Sequence, residues 1–164
     1  MLEPQVLRFI RLECESTRRK GKWMADARIL VVDDNPGDVH LLRMALQDAR
    51  SDYELQILRT GGDALRFIRE HERRESKDNN LCVILLDLHL PQHDGLAVLK
   101  AIRESSDLAH VDVVVLSGFA SPQEKQRIQS LGATFLQKPR ELSDYFELAK
   151  KVMEVCGASS VQAA

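Results

Sequence analysis

ILVVDDNPGD, residues 29–38, sets four apolar residues directly before two adjacent carboxylates and a Pro-Gly turn. A buried strand that ends on two like charges needs a reason for the pair, and the pattern around it supplies one. From Arg28 onward, short β-branched runs alternate with longer amphipathic stretches. The strand candidates are RILVVD (28–33), YELQILR (53–59), LCVILLD (81–87), VDVVVLS (111–117) and ATFLQK (133–138). Helical segments lie between them and another closes the chain. Val39, Leu42, Leu46 and Ala49 recur at helical spacing in the first, and Leu142, Phe146, Ala149 and Met153 in the last.

These five βα repeats predict an α/β fold. The first, third and fourth runs are almost continuously apolar, as central parallel strands covered on both faces must be. The second alternates Glu54 and Gln56 with Leu55 and Ile57 and reads as an edge strand. The expected architecture is a flavodoxin-like (βα)5 doubly wound sandwich with parallel strand order 2-1-3-4-5 and right-handed crossovers. In such a sheet the chain reverses direction between strands 1 and 3, and ligands bind beyond the carboxyl ends of the strands at that point. Asp33 and Asp34 end strand 1, and Asp87 ends strand 3. Three converging carboxylates repel one another unless a cation joins them. Mg²⁺ fits, since it takes oxygen ligands and is commonly held by one or two carboxylates together with a phosphate oxygen. Strand 4 stops at Ser117 and strand 5 at Lys138. A hydroxyl and an ammonium beside a metal-bound carboxylate make a receptor for a phosphoryl group. Asp87, central and alone, is the best-placed nucleophile, because aspartate forms acyl phosphates.

Composition excludes several other classes. At 164 residues the chain suits one domain with a proper core. The net charge of −2 gives no general attraction to nucleic acid. No apolar run approaches the roughly 20 residues needed to span a membrane. Three scattered cysteines, Cys14, Cys82 and Cys156, argue against a disulfide framework and for a reducing cytoplasm. Residues 1–25 form a distinct, basic N-terminal extension with three surplus positive charges, leaving −5 on the remainder. This extension reads as a weakly docked leader or as translated sequence ahead of a start at Met24. A partner-binding or membrane-surface helix is the alternative. Residues 157–164, GASSVQAA, read as a short flexible tail behind a domain spanning 26–156.

Four motifs in order, each at a strand end, carry a resemblance: VVDDN (31–35), LLDLHLPQHDG (85–95), LSG (116–118) and GATFLQKP (132–139), the last holding both Phe135 and Lys138. Together they resemble the receiver domains of two-component response regulators. The resemblance implies that Asp87 is the phosphoacceptor, and that Asp33, Asp34 and the backbone carbonyl of His89 complete a Mg²⁺ site. It implies that Ser117 and Lys138 contact the phosphoryl oxygens and that the Lys138–Pro139 bond is cis. Ser117 and Phe135 would form the switch, changing the helix 4–strand 5–helix 5 face. The implied donor is a sensor histidine kinase or a histidine phosphotransfer protein, and the output a downstream protein target. DNPGDVHLLRMAL (34–46) most resembles stand-alone receivers partnered with phytochrome-type kinases, a group in which homodimers through that face are plausible.

Departures from the family pattern are also visible. His89 and Phe119 stand two residues beyond Asp87 and Ser117, where their bulk would flank the path of the hydrolytic water. His89 and His93 lack the helical geometry and further ligands of a zinc site, because Pro91 lies between them. Two other classes fit the fold less well. A Mg²⁺-dependent phosphatase would carry its acids as DxD, whereas Asn35 follows the pair here, and a flavin-binding protein would have its phosphate repelled by DDNPGD.

Overall fold

A computed structural model describes residues 27–49, 53–73 and 81–161. The N-terminal extension therefore lies outside the described residues. The order is β1 (Ala27–Val32), α1 (Pro36–Ala49), β2 (Tyr53–Leu58), α2 (Gly61–Glu72), β3 (Leu81–Asp87), α3 (Gly95–Glu104), β4 (Asp112–Ser117), α4 (Pro122–Ser130), β5 (Thr134–Gln137) and α5 (Leu142–Val161). All strand pairs are parallel, and the sheet order is β2-β1-β3-β4-β5, as expected from the repeats.

Strand alternation divides the apolar residues between two cores, since successive side chains leave a strand on opposite faces. Leu30, Val32, Ile84 and Leu86 join Phe67, Ile68, Leu99, Ile102 and Ile128 on the α2, α3 and α4 side. Ile29, Val31, Val83 and Leu85 join Leu42, Leu46, Leu148 and Val152 on the α1 and α5 side. Every residue of β3 is buried, which follows from its central place and its continuous apolar run. β2 is the edge, yet Gln56 on it is buried and Glu54 is only partly exposed, paired at 3.3 Å with Arg28 of β1.

Three expectations need correction. The buried stripe of α5 is Tyr145, Leu148, Ala149, Val152 and Cys156, one step around the helix from the expected one, and Leu142 is 42% exposed. Both stripes share Ala149 and the helical period, so packing against α1 decides between them. α5 also continues to Val161, beyond its expected end near Cys156. Gly157 in a helix costs about 1 kcal/mol relative to Ala, little for a helix already anchored below it. The anchor is the third correction: Cys82 of β3 and Cys156 of α5 form a disulfide, with Cα atoms 5.0 Å apart. An odd cysteine count excludes a fully paired set but not a single bridge.

Two local devices fix the elements that carry the site. At the start of α1, Asn35 accepts the Gly37 N–H through its side chain (2.9 Å) and the Val39 N–H through its carbonyl (3.2 Å). Pro36 then occupies the first helical position, where its missing N–H costs nothing. At the other end of the sheet, the Arg103 guanidinium donates to the carbonyls of Leu131 (2.7 Å), Ala109 (3.1 Å), Val111 (2.9 Å) and Gly132 (3.0 Å). One side chain thus ties α3 to the lead-in of β4 and to the turn after α4. Gly132 in that turn has φ +64°, a left-handed conformation that glycine adopts without a Cβ clash.

Candidate functional site

The carboxyl ends of β1, β3, β4 and β5 meet at one edge of the sheet, and the expected residues meet with them. Asp33, Asp34 and Asp87 each offer an oxygen within 4.8 Å of the others. Asp33 and Asp87 are buried, while Asp34 is exposed. The loop beyond β3 is drawn under Asp87: the His89 N–H donates to Asp87 Oδ1 (3.0 Å), and the Gly95 N–H donates to the Leu88 carbonyl (2.9 Å). A Cβ at Gly95 would overlap the Asp87 carbonyl oxygen and lie 2.7 Å from Leu88 Cα, so only glycine permits this approach.

Lys138 closes the cluster. Its Nζ lies 2.8 Å from oxygens of Asp33, Asp38 and Asp87, so all three ammonium protons have carboxylate acceptors. Burial alone would favour its neutral form, but these hydrogen bonds outweigh burial and hold its pKa above the usual lysine value. Burial raises the pKa of Asp33, against the hydrogen bonds it accepts from Lys138 and from the Asn35 N–H. Three carboxylates and one ammonium held so closely form a site whose charge balance is incomplete in favour of the acids. The set of oxygen donors suits a hard divalent cation.

Ser117 is fully buried, and its hydroxyl is engaged with its own loop. Oγ donates to the Phe119 carbonyl (2.6 Å), accepts the Phe119 N–H (3.3 Å) and lies 3.1 Å from His89 Nδ1. The Lys138 N–H donates to the Ser117 carbonyl (2.9 Å), which ties the ends of β4 and β5 together. Phe135 is half-buried, with Lys125 Nζ of α4 5.0 Å from its ring centroid. Phe119 is 73% exposed, which leaves little of its ring to shield a water path. No cis peptide bond occurs among the described residues, so Lys138–Pro139 is trans, contrary to what the resemblance implies. The trans form is the lower-energy one for an X-Pro bond by about 0.5–1 kcal/mol.

Asp38 and Tyr145 belong to this constellation and were not singled out from the sequence. Asp38 Oδ2 pairs with Lys138, and its Oδ1 accepts the Tyr145 hydroxyl at 3.0 Å. Asp38 stands inside the DDNPGD stretch, in the first turn of α1, so its presence near the strand ends was available. Nothing local marks Tyr145, which is 107 positions away.

Comparison with known proteins agrees with this geometry. The response regulator receiver domain family matches residues 29–150. The response regulator Rcp1 of Synechocystis sp. is 38% identical over 128 residues, covering 76% of this chain and 84% of Rcp1. The polar-differentiation response regulator DivK of Brucella ovis is 29% identical over 126 residues, covering 76% and 94%. Among solved structures, the Mn(2+)-bound form of Rcp1 superposes with a TM-score of 0.67 at 32% identity, covering 78% of this chain and 92% of that one. The phosphorylated cyanobacterial phytochrome response regulator RcpA gives 0.69 at 29% identity, covering 81% and 95%. With the fold, the acidic cluster and these matches in agreement, the chain belongs to the receiver-domain family of two-component response regulators.

Proposed function

We propose that the chain accepts a phosphoryl group on Asp87 from a histidine kinase or histidine phosphotransfer protein, with Mg²⁺ bound by Asp33, Asp34, Asp87 and the His89 carbonyl. One observation carries this reading: Asp87 shares an acidic cluster with Asp33 and Asp34, their oxygens within 4.8 Å of one another, and also holds the Lys138 ammonium at 2.8 Å. In the transfer, an Asp87 carboxylate oxygen forms the new P–O bond as the donor's P–N bond breaks. The transition state is loose and highly charged, so the protein's task is to hold Asp87 in line and to offset charge on the equatorial oxygens. The metal ion supplies part of that offset, and Lys138 supplies the rest.

The output proposed is a change of packing. The Ser117 hydroxyl now serves Phe119 and His89, and a phosphoryl oxygen would compete for it. Turning it inward withdraws support from the β4–α4 loop and frees space for Phe135, moving the α4–β5–α5 face toward a protein partner. Phosphate drives this only through contacts that differ between the two packings. That Rcp1 and RcpA are response regulators, RcpA of a phytochrome system, supports a phytochrome-type kinase as donor. A homodimer through the same face and a cytoplasmic location complete the proposal. Among the described residues, no helix is long and apolar enough to cross a membrane.

The test is incubation with acetyl phosphate or phosphoramidate, with and without Mg²⁺, followed by intact mass. A Mg²⁺-dependent adduct on the wild type, absent from Asp87→Asn, is the expected result. Labelling of Asp87→Asn equal to the wild type would overturn the assignment, and no adduct together with no binding of beryllofluoride would overturn the receiver activity.

A further inference from the structure

Lys138 spends its three N–H bonds on three carboxylates, and those carboxylates have different fates in the proposed cycle. Asp33 belongs to the metal triad, and Asp87, also of that triad, becomes the acyl phosphate. Asp38 belongs to neither role, so its bond to the ammonium is the one that persists when the other two are redirected. Its second oxygen is held from a different element: the Tyr145 hydroxyl of α5 donates to Oδ1 at 3.0 Å. Tyr145 is 3% exposed and packs in the core between α1, α5 and the sheet. Burial and the Asp38 carboxylate both keep its phenol protonated, so it remains a donor throughout the physiological range. An unbroken line of hydrogen bonds therefore runs from Asp87 through Lys138 and Asp38 to the first turn of α5.

We propose that Asp38 is a positioning residue that anchors Lys138 toward the phosphoryl group, and that the Asp38–Tyr145 bond transmits the position of Lys138 to α5. This rests on the receiver reading and deepens it. It adds a second route to the output face, separate from Ser117 and Phe135. A carboxylate held on both oxygens by two elements has one favoured orientation, so a shift of the ammonium must turn Asp38, stretch its bond to Tyr145 or move α5. A hydroxyl bonded to a charged group is among the stronger side-chain contacts, which makes the third outcome competitive with the second.

The experiment follows hydrogen exchange by mass spectrometry in the full chain, with and without Mg²⁺ and beryllofluoride, in wild type, Tyr145→Phe and Asp38→Asn. Tyr145→Phe keeps the ring and removes only the hydroxyl. The expected result is an α5 response diminished about tenfold, the factor set by losing one hydrogen bond to a charged group. The response of the β4–α4 loop around Ser117 stays as in the wild type. Asp38→Asn, which removes the carboxylate charge that anchors the ammonium, lowers beryllofluoride affinity and α5 response together. An α5 response in Tyr145→Phe equal to the wild type would overturn the proposal, as would loss of both responses with beryllofluoride still bound. A wild type that binds no beryllofluoride removes the receiver reading and this proposal with it, and is recognised in the first sample. A cycle in the unliganded protein adds an independent arm. Lys138→Met and Tyr145→Phe must lower the urea midpoint less than additively, since both break the same line of bonds; strict additivity would overturn the coupling.

Discussion

Replacing Lys138 by Met tests the charge balance of the site most directly. Methionine keeps much of the length and apolar stem of the side chain but removes the ammonium that sits 2.8 Å from Asp33, Asp38 and Asp87. The Lys138 side chain is only 16% exposed, so water does little to screen the loss. Removing one partner from a buried ion pair costs about 3–5 kcal/mol. A second route to the magnitude comes from proton uptake. The site can restore its balance by protonating a carboxylate whose ordinary pKa is 3.8, which costs about 4 kcal/mol at pH 7 and under about 2 kcal/mol at pH 5. The two estimates agree at neutral pH, and the second adds a pH dependence. Mg²⁺ offers another relief, because the ammonium and the metal compete for oxygens of Asp33 and Asp87. The variant should bind Mg²⁺ about tenfold more tightly than the wild type, equivalent to about 1.4 kcal/mol. Urea unfolding followed by circular dichroism, at pH 5 and 7 and with EDTA or saturating Mg²⁺, measures every term. A loss that is the same under all four conditions would refute the reasoning.

Three further outcomes are expected. The raised pKa of Asp33 means that the folded state takes up a proton more readily than the unfolded one, so protonation there stabilises the fold below pH 3.8 and that contribution is lost as pH rises through the folded value. Mg²⁺ needs the ionised form, so its affinity should begin to fall with decreasing pH above the ordinary Asp value; an affinity constant down to pH 4, measured by titration calorimetry, would exclude this. For the Cys82–Cys156 bridge, thiol titration in denaturant without reductant should find one free thiol among the three cysteines, and three would show the bridge absent. With 74 positions between the cysteines, chain entropy gives the bridge about 4 kcal/mol, so Cys156→Ser should lower the unfolding midpoint in non-reducing buffer. Finally, His89→Asn should change the rate of dephosphorylation, and the change should vanish in a Ser117→Ala background, because His89 contacts the Ser117 hydroxyl at 3.1 Å. An effect of equal size in both backgrounds would place His89's influence elsewhere.

Much of the site was legible because parallel strands all end at the same edge of the sheet. Asp33, Asp87, Ser117 and Lys138 close or follow four strands that could be read from apolar runs alone, so their meeting required only the strand order. What escaped depends on how separate elements pack. The two candidate stripes of α5 have the same period, and only contact with α1 selects Tyr145, Leu148 and Val152. The Tyr145 hydroxyl reaches Asp38 only after that selection, which is why neither residue stood out. Cysteine spacing likewise cannot give connectivity: Cys82 and Cys156 meet because β3 and α5 share one core.

The four bonds from Arg103 have a mechanical consequence for α4. Its C-terminal end is tied through the Leu131 and Gly132 carbonyls, whereas along its length only Ile128 is buried. The opposite end begins at the capping box of Ser121 and Glu124, just past the loop that Ser117 supports. α4 is therefore a lever hinged at one end. Nine residues make it about 13 Å long, so a tilt of about 10° carries its free end about 2 Å while the hinge stays still. A partner gripping α4 near Pro122 would feel nearly all of that travel, and one gripping it near Ser130 almost none.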